Sequence, residues 1–232
     1  MFISLAPILI IAFYIYGRDK YEKEPISFLL RALLTGVLIV LPVVLIEKLL
    51  SIPSERMEGL SNAAYTAFKV AALTEEGMKF IAFYFLFWKN KNFNERFDGI
   101  VYAVYIALGF AGIENLLYVF TGGYSVGLIR ALTAVPAHAL FGIMMGFYFG
   151  LAKFKPNRGR FYLVLAFFLP FIFHGIYDFL LMSNSPVFIT IFIPLFIYFW
   201  ITGFKKMSIA SDASAFRGLP DDGIKPGTGS VQ

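Results

Sequence analysis

Apolar runs at residues 2–16, 28–50, 63–88, 99–120, 131–152, 161–182 and 187–204 alternate with short polar breaks. A helix needs about 20 residues to cross the hydrocarbon core, and lipid offers the backbone no hydrogen-bond partner, so each run is predicted to be a helix. The expected fold is all-α: a polytopic transmembrane bundle of about seven helices. The first run is short. It lacks the basic start and small-residue cleavage site of a signal peptide and is read as a retained span. Residues 207–232 are rich in Gly, Ser, Pro and Asp with almost no apolar periodicity, which predicts a disordered cytoplasmic tail after a membrane domain at 1–206. No internal repeat stands out.

Composition agrees. At 59% hydrophobic and 15% charged residues, the chain has more apolar surface than a soluble domain of this size can hide. Cysteine is absent, which excludes disulfides and thiol chemistry. The net charge of +5 matters less than where the bases lie. Arg18, Lys20, Lys23, Lys89, Lys91, Arg96, Lys153, Lys155, Arg158, Arg160, Lys205 and Lys206 fall in alternate breaks and the start of the tail, against Arg56 and Arg130 on the other side. Twelve against two places the N-terminus outside and the C-terminus in the cytoplasm. Trp88 and Trp200 fall near cytoplasmic helix ends, where interfacial indoles are common. The partner this implies is the lipid bilayer, not nucleic acid.

Against that background the ionisable residues inside the runs stand out. An ionisable side chain at bilayer depth costs at least about 2.5–3.5 kcal/mol on insertion scales, so it needs a partner or a task. The third run holds Lys69, Glu75, Glu76 and Lys79; the fourth, Glu114 and Asn115; the fifth, His138; the sixth, His174 and Asp178. These are the only two histidines of the chain. Lys69 reads as a side chain that snorkels outward. In the assigned orientation Glu114, His138, His174 and Asp178 lie near the outer helix ends, with Glu75 and Glu76 deeper. Glu75 and Lys79, like His174 and Asp178, are four apart and share a helix face. Pro170 can kink the sixth helix, while Gly109, Gly112 and Gly175 permit close approach.

Each feature has a plain structural reading: an ion pair, a packed imidazole, a carboxylate on a neighbouring amide. Jointly, they supply what peptide hydrolysis in a membrane needs, namely a base for water and groups for the oxyanion. His138, His174, Glu76, Glu114 and Asp178 are also candidates for holding a divalent metal such as zinc. No H-E-x-x-H is present, no serine accompanies the histidines within the runs, and a single Asp there disfavours an aspartyl dyad. A proton-coupled transporter also buries such groups. Against it, neither an inverted repeat nor a second cluster facing the cytoplasm is evident.

"EEGMK" at 75–79, "FAGIE" at 110–114 and "HGIYD" at 174–178 match E-E-x-x-K, F-x-x-x-E and H-x-x-x-D, in that order on successive helices. The set resembles the PrsW family of bacterial intramembrane proteases. More distantly it is similar to the CAAX prenyl endopeptidase and bacteriocin-processing group, with E-E-x-x-x-R, F-x-x-x-H and H-x-x-x-N. The likeness extends to the flanking "DKYEKEP" and "RFDGIVYA". It implies a multi-pass protease of the bacterial plasma membrane, with Glu75 and Glu76 as key acids and Glu114, His174 and Asp178 completing the site. Lys79 is expected to tune the acids, and His138 is added from its place on the intervening helix. The implied reaction is site-1 cleavage of a membrane-anchored anti-sigma factor on its extracytoplasmic side, with or without a metal.

Overall fold

A computed structural model describes residues 2–218. Helices α1 (Phe2–Arg18) and α2 (Ile26–Leu50) are followed by a 3-10 turn at Ile52–Arg56. A continuous rod then combines α3 (Gly59–Ala64), a π-helical stretch (Tyr65–Ala72) and α4 (Leu73–Leu86). After α5 (Arg96–Gly122) come α6 (Tyr124–Leu132), α7 (Ala134–Phe154), α8 (Gly159–Met182) and α9 (Pro186–Asp212). With α3 to α4 as one rod and α6 leading into α7, the described residues form the expected seven-rod bundle.

Five of these helical stretches are long and apolar enough to cross a membrane. The α3–α4 rod has the length but carries four charged residues between positions 69 and 79, Lys69, Glu75, Glu76 and Lys79. The bundle exposes large side chains such as Leu38, Leu41, Phe85 and Ile201, a surface that suits lipid and not water.

The core runs along α5, which is buried on every side from Phe97 to Gly112. Small residues set this geometry. A Cβ on Gly146 would lie 2.1 Å from the Gly99 carbonyl oxygen, and one on Gly36 would lie 2.0 Å from that of Ile106. Glycine therefore lets α7 and α2 meet α5 backbone to backbone. Tyr105 Oη donates to the Ala12 carbonyl (3.0 Å), tying α1 to α5, and Asn115 Nδ2 donates to the Gly127 carbonyl (3.2 Å), tying α6 to it.

Two features depart from the sequence expectation. The expected break before the fifth span contains helix α6, anchored by buried Gly127 and Ala131. Helix α9 also runs past 206, to Asp212, because Met207, Ala210 and Ser211 are buried against the bundle. The expected disordered tail falls, from residue 219 onward, outside the described residues.

Candidate active site

Glu75 and Glu76 stand in the first turn of α4, directly after the π-helical stretch. Such inserted turns rotate the following residues relative to a regular helix and recur at functional sites. The Phe68 ring of this stretch packs against Gly175 of α8, where a Cβ would lie 2.2 Å from the ring. The missing side chain beside His174 thus seats the rod that carries the two acids.

Lys79 is the hub. Its Nζ donates to Glu75 Oε2 (3.0 Å), Glu76 Oε1 (2.8 Å) and His138 Nδ1 (3.2 Å), which uses all three ammonium protons. Its charge also lies 4.2 Å from the centre of the Phe110 ring. The sequence paired Lys79 with Glu75; the structure adds Glu76, three residues before Lys79.

Lys79 fixes the His138 tautomer. Nδ1 accepts, so Nε2 carries the proton and donates to Glu114 Oε2 (2.9 Å). Glu114 is held in turn by Arg130 at 2.6 Å. His174 bridges two acids, with Nδ1 3.0 Å from Glu76 Oε1 and Nε2 3.2 Å from Asp178 Oδ2. The Phe141 ring stacks on it at 5.0 Å between centres. Seven residues singled out in the sequence, Glu75, Glu76, Lys79, Glu114, His138, His174 and Asp178, therefore form one connected group drawn from four helices.

Access divides them. A cavity of about 230 Å³ is lined by Glu75, Glu114, His138, His174 and Asp178, but not by Glu76 or Lys79. Glu114 and Asp178 side chains are each 17% exposed, whereas Glu75, Glu76, Lys79 and both imidazoles are nearly sealed. Glu75 is thus the acid that faces the space, and Glu76 the anchor behind it. Sequence reasoning missed Glu47, Tyr118, Arg130 and Tyr177 in the wall. Glu47 and Arg130 sit near helix ends, where a charge reads as interfacial.

The donor set also fits a metal. Glu75, Glu76, His138 and His174 offer ligand atoms within 4.8 Å of one another, and Glu76 Oε2 is buried without a hydrogen bond. Two carboxylates and two imidazoles suit zinc. Glu114 and Asp178, also expected as ligands, lie at the Nε2 side of His138 and His174 respectively. There they fix ring orientation.

Buried acids, oriented imidazoles and a polar cavity inside an apolar bundle are the equipment of a membrane-embedded hydrolase. Residues 24–202 match the model of the PrsW family intramembrane metalloproteases. Proteins named Protease PrsW are 44% identical over 78% of this chain and 79% of the relative in Geobacillus kaustophilus, 40% over 90% and 94% in Oceanobacillus iheyensis, and 34% over 88% and 91% in Bacillus subtilis. No solved structure matches. The chain belongs to the PrsW family. It is a multi-pass protease of the bacterial cell membrane, and that membership displaces the carrier reading.

Proposed function

We propose that the protein makes the first cut in a membrane-anchored anti-sigma factor, on the extracytoplasmic side of the bilayer, with Glu75 as the base that activates water. The observation that carries this reading is that the two histidines and four carboxylates, Glu47, Glu75, Glu114 and Asp178, line one cavity at the bundle end away from most basic breaks. Glu75 takes the proton of the attacking water and passes it to the leaving amine. No covalent intermediate forms. His138 and His174 face the same space, as does the Arg130 guanidinium; Glu114 engages one guanidinium nitrogen, and the remaining donors of Arg130 stabilise the developing oxyanion. Glu76 and Lys79 hold the histidines and Glu75 from behind.

Glu75, Glu76, His138 and His174 are the residues that would hold a divalent metal. Zinc held there would supply Lewis acidity to polarise the scissile carbonyl and the attacking water. Lys79 contacts three of those four residues, so metal loading requires its ammonium to withdraw.

The test is incubation of purified protein in detergent with a single-span anti-sigma substrate, with the cut mapped by mass spectrometry. The reading expects one cut on the extracytoplasmic flank, lost on chelation and restored by zinc. A cut on the cytoplasmic flank would overturn the sidedness. Activity indifferent to chelation, with metal analysis confirming removal, would leave Lys79 as the positive charge of the site.

A further inference from the structure

A second group of buried acids lies at the opposite end of the bundle, where the sequence showed only apparent loop charges. Asp19 and Glu24 sit in the connection between α1 and α2, and Glu95 and Asp98 sit at the head of α5. All four are at most 3% exposed. Asp98 lies sixteen residues before Glu114 on α5, or about 24 Å along the axis.

One oxygen of each key carboxylate holds the local fold. Asp98 Oδ2 accepts the Asn94 and Glu95 N–H groups (2.8 and 2.7 Å), and Asp19 Oδ2 accepts the Glu24 N–H (3.2 Å). Glu24 Oε2 accepts the Tyr102 hydroxyl. The other oxygens, Asp19 Oδ1, Glu24 Oε1 and Asp98 Oδ1, are buried with no hydrogen-bond partner. They belong to two overlapping sets that share Asp98. Asp19, Glu95 and Asp98 form one and Glu22, Glu24 and Asp98 the other, each with donor oxygens within 4.8 Å.

Among the described residues no basic side chain forms an ion pair with Asp19, Glu24, Glu95 or Asp98. Lys23 donates instead to the Tyr16 carbonyl, and Lys153 to those of Trp88 and Asn90. Uncompensated buried charge of this kind costs several kcal/mol per ion. Protons or a cation must balance it.

We propose that Asp19, Glu24 and Asp98, with Glu22 and Glu95 beside them, bind a hard divalent cation, Mg²⁺ or Ca²⁺. The ligands are all oxygens, the chemistry those ions select, with no imidazole or thiolate to favour zinc. The cation clamps the α1–α2 connection onto the head of α5. It also fixes the segment after α9, because the Ser214 hydroxyl donates to Glu95.

Terbium tests this on the full-length protein in detergent, since Tb³⁺ occupies hard oxygen sites and luminesces when a nearby tyrosine, here Tyr102, is excited. The proposal expects saturable luminescence displaced by Ca²⁺ or Mg²⁺, weakened at least about tenfold by Asp98→Asn through lost ligand charge and retained in Glu75→Gln. It also expects the wild-type melting temperature to rise with Mg²⁺ or Ca²⁺ and fall with chelator. Should Asp98→Asn fail to fold, Asp19→Asn serves the same comparison, and the wild-type melting shift needs no variant. Luminescence lost in Glu75→Gln but kept in Asp98→Asn would assign the ion to the catalytic cavity and overturn the proposal. So would a wild type without saturable binding or a melting shift, which would leave protons as the balancing charge.

Discussion

Lys79 is where the buried charges of the candidate site balance. Three hydrogen bonds converge on its ammonium, and removing one partner of a buried ion pair costs about 3–5 kcal/mol. Lys79→Met should therefore lower the melting temperature in detergent sharply, and added zinc should recover part of the loss by supplying the missing positive charge. A variant that melts like wild type would contradict the balance. Glu75 and Glu76 are adjacent in sequence yet predicted to separate by experiment. Glu76→Gln disturbs both Lys79 and His174 and should reduce stability as well as activity. Glu75→Gln keeps an oxygen for Lys79 and should reduce activity alone. The residues of this group were legible because an ionisable side chain in an apolar run has few bland explanations. Glu47 and Arg130 were not, since near a helix end the same side chain reads as interfacial. Asp19, Glu24, Glu95 and Asp98 stayed hidden for a related reason: they sit in breaks, and only tertiary packing buries them.

At the scale of elements, the site depends on how closely helices approach. Gly146 faces the Gly99 carbonyl, so Gly146→Ala must push α7 away from α5, and with it His138 from Glu114. Overpacking of this kind costs about 1–3 kcal/mol; thermal unfolding should show the loss, with activity falling further than stability alone explains. Gly175→Ala meets the Phe68 ring at 2.2 Å and should displace the π-helical stretch, lowering turnover while most of the bundle holds. Apolar run lengths revealed most rods directly, because lipid forces each run into a helix. They could not reveal the π-helical turn at Tyr65–Ala72, which depends on packing against α8. Nor could they reveal α6, whose sequence resembles a loop until Gly127 and Ala131 find their seats, or the extension of α9 to Asp212.

For the molecule as a whole, the basic residues predict a single orientation. Reporter fusions in the 51–58 connection should report an extracytoplasmic location, and fusions at 89–95 a cytoplasmic one; the reverse pattern would put the cavity on the wrong side for the proposed cut. The two buried clusters then lie toward opposite faces, hydrolysis toward the outside and the oxygen-rich clamp toward the cytoplasm. The central claim is that Glu75 activates water in the cavity, and cleavage of a single-span substrate by Glu75→Gln beside wild type tests it most directly. With both proteins melting at similar temperatures, the account predicts a loss of about 10²–10⁴-fold in rate, the contribution of a general base. A Glu75→Gln variant that cleaves as fast as wild type would contradict it.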